Sequence, residues 1–267
     1  MSKFKFYVLG NFSPNIRTFG KCRCTCYFLK GFSKSIFLDF GAGVFKKFYE
    51  LLKKKEIDLE NIIIIISHNH VDHNFAILSL GAFLKAYNFK NKSSVKIDIY
   101  LPQKSIMFKI ISTFKSVFNI HILNENTNII IEKANISFCK TIHKGESYAT
   151  KIQIEDNIFV YTSDIAKYSK SLEEFVKNSN AVLIDAGYPK KLLNSFKNYH
   201  GRTKQILGET SKLGIGVIYA THIRFFSKKE DYIENFPKGQ TTYLVKINNE
   251  YDMFPKKIKE YILTIRK

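Results

Sequence analysis

Four apolar runs of this 267-residue chain end on residues that bind metal ions. Ile62–Ile66 leads into Ser67-His68-Asn69-His70-Val71-Asp72-His73, Ile136–Ile142 into His143, Ile158–Thr162 into Ser163-Asp164, and Val217–Thr221 into His222. Imidazole and carboxylate together suit Zn²⁺, with Mn²⁺ or Fe²⁺ as alternatives. Ligands at the ends of strands are fixed by a rigid scaffold yet open to solvent, which is what a catalytic metal site needs. His68 and His70 stand two residues apart, so in extended chain they point the same way and can grip one ion. Asp72 and His73 follow a turn and can reach a second. Two ions about 3.5–4 Å apart can activate a water and stabilise both the attacking and the leaving oxygen.

Five of the seven histidines fall at such strand ends. One histidine alone is more often a packed or surface residue, and it is the joint placement that speaks for a site. His200 opens the segment before an expected helix. His121, in Phe118-Asn119-Ile120-His121-Ile122, alternates with apolar residues and reads as an ordinary side chain.

The scaffold for these ends is legible as short strands at Phe4–Leu9, Cys24–Leu29 and Ile36–Phe40, with more near 95–101, 136–142, 151–154, 158–162, 181–184 and 216–220. Helical spacing marks about 44–56, 75–88, 103–118, 189–198, 203–212 and 256–265. Strands first, then strands mixed with helices, point to two sheets packed face to face with helices outside. Without repeats, low-complexity stretches or a Pro/Gly/Ser linker, residues 1–267 read as one domain.

A hydrophobic content of 45% over this length is enough to bury a substantial core. No apolar run approaches the roughly 20 residues of a membrane-spanning helix. The N-terminus lacks the long apolar core of a signal peptide, so a cytoplasmic location is expected. Cys22, Cys24 and Cys26 share one face of an extended strand and read as reduced thiols, since a thiolate zinc site favours C-x-x-C spacing. The net charge of +19 invites a polyanion such as nucleic acid. Only five of the 42 basic residues are Arg, however, and the richness in Lys, Ile, Asn and Phe matches an AT-rich coding sequence. Charge alone is therefore weak support, and Lys53-Lys54-Lys55 reads as the solvated face of a helix.

The run His68-Asn69-His70-Val71-Asp72-His73 resembles the H-x-H-x-D-H signature of the metallo-β-lactamase superfamily. Ile36-Phe37-Leu38-Asp39-Phe40-Gly41-Ala42-Gly43 resembles that family's upstream strand and Asp-x-Gly turn, whose Asp supports the metal site without ligating it. His143, Asp164 and His222 match the third, bridging and final ligand positions, so the resemblance covers about residues 4–225. It implies an α/β fold, the four-layer αββα sandwich. It further implies that His68, His70 and His143 hold one ion, that Asp72, His73 and His222 hold the other, and that Asp164 bridges. Two divalent ions, Zn²⁺ or alternatively Mn²⁺, are the cofactors so implied.

Within the superfamily, His143-Lys144-Gly145-Glu146-Ser147-Tyr148 and the run up to Asp164 resemble ribonuclease Z and its smaller phosphodiesterase relatives. The Pro-Gly-His-Thr run of glyoxalase-type thioesterases is absent. In the ribonuclease Z branch, Glu-Ala-Thr-like and His-x-Thr motifs supply an acid–base pair. Here Asp185-Ala186-Gly187-Tyr188 and His200-Gly201-Arg202-Thr203 depart from both, leaving His200 either a proton donor beside Asp185 or a capping and packing residue. Asp164 follows His143 by 21 residues, which leaves no room for the tRNA-gripping arm of that branch. The implied activity is hydrolysis of a small phosphodiester such as a cyclic nucleotide. Asp72 would orient the nucleophile, and Arg202 or Arg224 would clamp a phosphate oxygen or stand as plain surface residues. The alternatives are a ribonuclease Z-like RNA 3′-end endonuclease, an ester, lactone, thioester or β-lactam hydrolase on the same metals, and an inert scaffold. The partners so implied are a small phosphodiester or nucleotide, nucleic acid as a further candidate, a second copy in a homodimer, and no membrane.

Overall fold

The computed structural model describes residues 3–12, 23–104, 106–189, 200–222 and 227–255. Isoleucines give the shortest route from sequence to layers. Strand β4 (Ile62–Ile65) is buried throughout and lies between parallel neighbours β3 (Ser35–Leu38) and β5 (Ile97–Leu101). A parallel strand covered on both faces carries a continuous apolar run instead of an alternating one. Ile63 and Ile65 join the core between two sheets, whereas Ile62, Ile64 and Ile66 join a second core beneath helices.

The first sheet adds β1 (Lys5–Gly10), β2 (Cys26–Lys30), β6 (Phe118–Ile122) and β14 (Glu250–Asp252), in the order β14-β1-β2-β3-β4-β5-β6. The second holds β7 (Asn128–Ile131), β8 (Ala134–Lys140), β9 (Tyr148–Ile154), β10 (Asn157–Tyr161), β11 (Ala181–Asp185), β12 (Val217–Thr221) and β13 (Thr242–Leu244), in the order β13-β12-β11-β10-β9-β8-β7. Their facing sides share Phe6, Tyr27, Leu38, Ile136, Ile152, Phe159 and Leu183. Helices α1 (Phe45–Lys53), α3 (Ala76–Asn91) and α4 (Ile106–Ile111) cover the first sheet, and the short α2 (Val71–Asn74) leads into α3. Helices α5 (Lys170–Val176), α6 (Thr203–Thr210) and α7 (Lys229–Ile233) cover the second. This is the four-layer αββα sandwich. Among the described residues no helix is long and apolar enough to cross a membrane.

Strand direction gathers the site. β10, β11 and β12 run parallel in register, and β8 reaches the same direction through two antiparallel steps. The residues that follow β8, β10 and β12, together with the last residue of β11, therefore emerge at one edge. The expected helix over 103–118 is shorter in the structure, where α4 and a 3₁₀ turn at Ser112–Phe114 give way to β6. The alternation from Phe118 to Ile122 belongs to a strand that pairs in parallel with β5. The expected helix over 256–265 lies outside the described residues, as does all but the first residue of that over 189–198.

Candidate metal centre

Asp39 organises one side of the site from a backbone position with φ of 59°, just beyond β3. It is fully buried, and its carboxylate accepts from the Ser67 amide at 2.7 Å, the Ser67 hydroxyl at 2.9 Å, His73 Nδ1 at 2.7 Å and the Tyr161 hydroxyl at 2.6 Å. With Nδ1 committed to Asp39, the Nε2 atom of His73 is turned to the centre. The same turn clamps α2, because the Phe40 amide donates to the His73 carbonyl at 2.6 Å and the Thr25 amide to the Asp72 carbonyl at 3.1 Å. Gly41 is required here, since a Cβ would collide with the Asp72 carbonyl.

The other rings are oriented in the same way. Ser67 Oγ lies 3.1 Å from His68 Nδ1 and itself accepts from the Ser163 hydroxyl at 2.7 Å. Thr25 Oγ1 lies 3.1 Å from His222 Nδ1. His222 has φ of 57°, and its amide donates to Asn11 Oδ1 at 2.8 Å. Asn11 in turn donates to the Val245 carbonyl at 2.8 Å, tying β1 to the chain beyond β13.

Two groups of donors result. Atoms of His68, His70, His143 and Asp164 lie within 4.8 Å of one another, and so do those of Asp72, His73, Asp164 and His222. Asp164 is common to both. Its Oδ2 stands 3.4 Å from His222 Nε2, 3.7 Å from His68 Nε2 and 3.9 Å from His143 Nε2, and its Oδ1 stands 3.5 Å from His73 Nε2. The donor set fits divalent metal: His73 Nε2 and Asp164 Oδ2 are buried and have no hydrogen-bond partner, a costly state that a cation would relieve. Burial holds His68 and His70 below the usual imidazole range and His143 down at about 4, so these rings are neutral and ready to ligate at neutral pH. Burial works to raise the Asp72 and Asp164 carboxyls but is outweighed by the surrounding imidazoles, chiefly His73 for Asp72, held at about 2, and His222 for Asp164. For His73 burial is likewise outweighed, here by Asp164, Asp39 and Asp72, which raise it.

A third group adjoins these two. His200 Nδ1 donates to Asp185 Oδ2 at 2.7 Å, the Gly187 amide donates to Asp185 Oδ1 at 2.9 Å, and Asp164 completes the cluster. The His200 ring centroid lies 5.4 Å from that of His222 and 5.7 Å from that of His143. Gly187, with φ of 65°, lets the chain pass so near the Gly201 carbonyl that a Cβ would not fit, which brings the His200 segment alongside β11. Arg202 is exposed two residues beyond His200, and Arg224 lies outside the described residues. His121 stands apart on β6, stacked on Tyr100 at 4.4 Å and 3.1 Å from Asp98. The orienting residues Asn11, Thr25 and Tyr161 carry no signal in the sequence, because their partners are 211, 197 and 122 positions away.

A family model described as the Beta-lactamase superfamily domain matches residues 36–223. The chain belongs to the β-lactamase superfamily. Membership implies divalent metal binding, and the two His/Asp groups are where it would occur. A curated relative, the probable metallo-hydrolase YhfI of Bacillus subtilis (strain 168), is 24% identical over 162 residues. That match covers 61% of this chain and 64% of the relative, less than two thirds of its length. The crystal structure of YhfI is similar with a TM-score of 0.76 at 20% identity, covering 93% of this chain and 98% of that one. A diphosphatase of the PhnP family gives 0.71 at 15% identity, covering 93% and 97%, and the short form of human tRNase Z gives 0.69 at 16%, covering 93% and 99%. At such identities these likenesses show the fold.

Proposed function

We propose that the chain is a binuclear metal-dependent phosphodiesterase acting on a small diester such as a cyclic nucleotide. One observation carries the reading: a buried His200–Asp185 pair, hydrogen-bonded at 2.7 Å, stands beside Asp164 and the two metal-ligand groups. When water attacks an alkyl phosphodiester, the P–O bond to the leaving group breaks and that oxygen departs as an alkoxide unless it receives a proton. Because His200 Nδ1 donates to Asp185, the ring is held in one orientation and Nε2 is the atom that would deliver that proton. His68, His70, His143 and Asp164 would hold one ion, and Asp72, His73, His222 and Asp164 the other. The imidazole-rich set favours Zn²⁺, with Mn²⁺ as the alternative. When bound, the ions supply positive charge that lowers the pKa of a water and offsets charge developing on the phosphoryl oxygens. Asp72 would orient the attacking water, and Arg202 would hold a non-bridging oxygen.

The interval between His143 and Asp164 supports a small substrate, since it is filled by the β9–β10 hairpin and carries no projecting arm. The names of two structural neighbours, a diphosphatase and a tRNase Z, support phosphoryl chemistry in general. The net charge of +19 favours a second reading, an RNA 3′-end endonuclease.

Kinetics at low and physiological salt with a bis-aryl phosphate, a cyclic nucleotide, a tRNA precursor and a β-lactam separate these readings. The two small diesters are expected to be cleaved with shallow salt dependence, the precursor poorly and the β-lactam scarcely. His200→Ala is expected to slow the cyclic nucleotide by about 10²–10⁴-fold, the usual worth of a general acid, and a nitrophenyl diester far less. Efficient, strongly salt-dependent trimming of the precursor would hand the case to the endonuclease. Faster β-lactam cleavage would overturn both.

A further inference from the structure

Beyond Asp185, the last residue of β11, the chain leaves the sheet edge through Gly187 and reaches Tyr188 and then Pro189. Tyr188 is half-buried, and its backbone is held from both sides. The Tyr188 amide donates to the Gly201 carbonyl at 3.0 Å, and the Thr203 amide donates to the Tyr188 carbonyl at 3.0 Å. These bonds make a parallel bridge between Tyr188 and Arg202. A following proline confines Tyr188 further to extended backbone. The ring therefore has a fixed root, and a tyrosine has only two side-chain torsions left to settle, so little entropy is lost when it meets a partner.

Bridge partners present their side chains on the same side of the paired chain segments, so Tyr188 and the exposed Arg202 issue side by side. Arg202 is itself extended (φ −82°, ψ 136°), which aligns it with His200 two residues earlier. The rings of Tyr188 and His200 accordingly meet, with centroids 5.7 Å apart and planes inclined at 60°. His200 in turn lies 5.4 Å from His222 and 5.7 Å from His143, ring to ring. A line of side chains thus leads outward from the metal ligands through His200 to Tyr188. Gly187 and Gly201 meet at the root of that line, where a Cβ on Gly187 would stand 2.4 Å from the Gly201 carbonyl oxygen. No side chain from either position walls the tyrosine in, which favours a planar partner over an alkyl chain.

We propose that Tyr188 is a specificity-determining residue, the platform on which the base of a nucleotide substrate stacks. The inference rests on the phosphodiesterase reading above and narrows it to diesters that carry a nucleobase, as against diesters of small alcohols. His200 Nδ1 is committed to Asp185 at 2.7 Å, so the leaving oxygen belongs at Nε2. In a cyclic nucleotide that oxygen is part of the ribose, and the base is attached to the same sugar. Tyr188 touches the ring that serves the leaving oxygen, and Arg202, assigned to a non-bridging oxygen, stands beside it. Bridge partners lie about 4.8 Å apart, so one nucleotide can meet both. Every base has a π face, and stacking therefore separates nucleotides from base-free diesters while discriminating little among bases.

Two readouts on the full chain supplied with Zn²⁺ test it. The first compares hydrolysis of a nucleoside 2′,3′-cyclic phosphate with that of methyl riboside 2,3-cyclic phosphate, which lacks the base. The wild type is expected to favour the nucleotide by roughly 10–100-fold in kcat/KM, the worth of one base on one aromatic ring. In Tyr188→Leu, which keeps apolar bulk beside His200 but loses the planar face, that ratio should collapse towards one. Tyr188→Phe should preserve it. The second readout needs no turnover: the chain has no tryptophan, so the emission of Tyr188→Trp reports on this position alone. Adenosine 5′-monophosphate is expected to quench it at concentrations where ribose 5-phosphate does not. Equal wild-type rates on the two cyclic phosphates would overturn the proposal, as would emission indifferent to the nucleotide. A loss in Tyr188→Leu shared equally by both substrates would overturn it as well, leaving Tyr188 a prop for His200. If neither cyclic phosphate is hydrolysed, the reaction assigned above falls, and the quenching alone decides whether the ring receives a base.

Discussion

Asp164→Ala is expected to lose both metal and turnover while remaining folded. Its carboxylate stands 3.4–3.9 Å from the Nε2 atoms of His222, His68 and His143, and 3.5 Å from His73 Nε2. Among the described residues no other belongs to both candidate ligand groups. Truncation removes the anion that serves two sites at once, and the loss should exceed the ~10²–10³-fold that follows from deleting one fixed electrostatic group of an active site. His70→Ala should behave similarly, because it strips one group of a ring whose Nδ1 lies 3.0 Å from His68 Nε2. His121→Ala supplies the control, since that ring is occupied with Tyr100 and Asp98. Turnover of the bis-aryl diester, read beside circular dichroism, decides the matter. Equal activity in the His70 and His121 variants would refute the ligand assignment.

The second large effect is expected at a residue that holds no metal. Asp39→Ala leaves the Ser67 amide and hydroxyl, His73 Nδ1 and the Tyr161 hydroxyl without their acceptor in a fully buried site. Each buried group left unpaired costs about 1–3 kcal/mol, so several kcal/mol of stability should go. Metal affinity should fall by roughly 10–100-fold, the usual effect of removing the partner that orients a ligating ring. Asp39→Asn keeps the shape and one acceptor oxygen and should fall between. Urea unfolding and a metal titration on the same samples check both. A wild-type midpoint with wild-type affinity would remove Asp39 from the machinery.

The layers were legible because isoleucine placement reports burial: the apolar run Ile62–Ile66 contains strand β4 (Ile62–Ile65), whose residues alternate between the two cores. Ligand types were legible because they interrupt apolar runs at their ends, a local signal. Helix 103–118 was overcalled because Phe118–Ile122 follows a helical stretch directly, and its membership in a sheet depends on β5, which precedes it by a whole helix. Asn11 and Thr25 were invisible for a related reason. Each orients His222 across roughly two hundred positions of chain, and no spacing rule reaches that far. Short edge strands such as β13 and β14 carry three residues each, too few to show any period.

The proposed function requires two divalent ions between His68, His70, Asp72, His73, His143, Asp164 and His222. Elemental analysis of the purified chain, followed by stepwise return of Zn²⁺ or Mn²⁺ to chelated protein, measures this requirement. Close to two equivalents of metal per chain are expected, with bis-aryl phosphate hydrolysis lost on chelation and restored as the second equivalent binds. Protein that carries no metal, takes up none and gains no hydrolytic activity from added ions would contradict it.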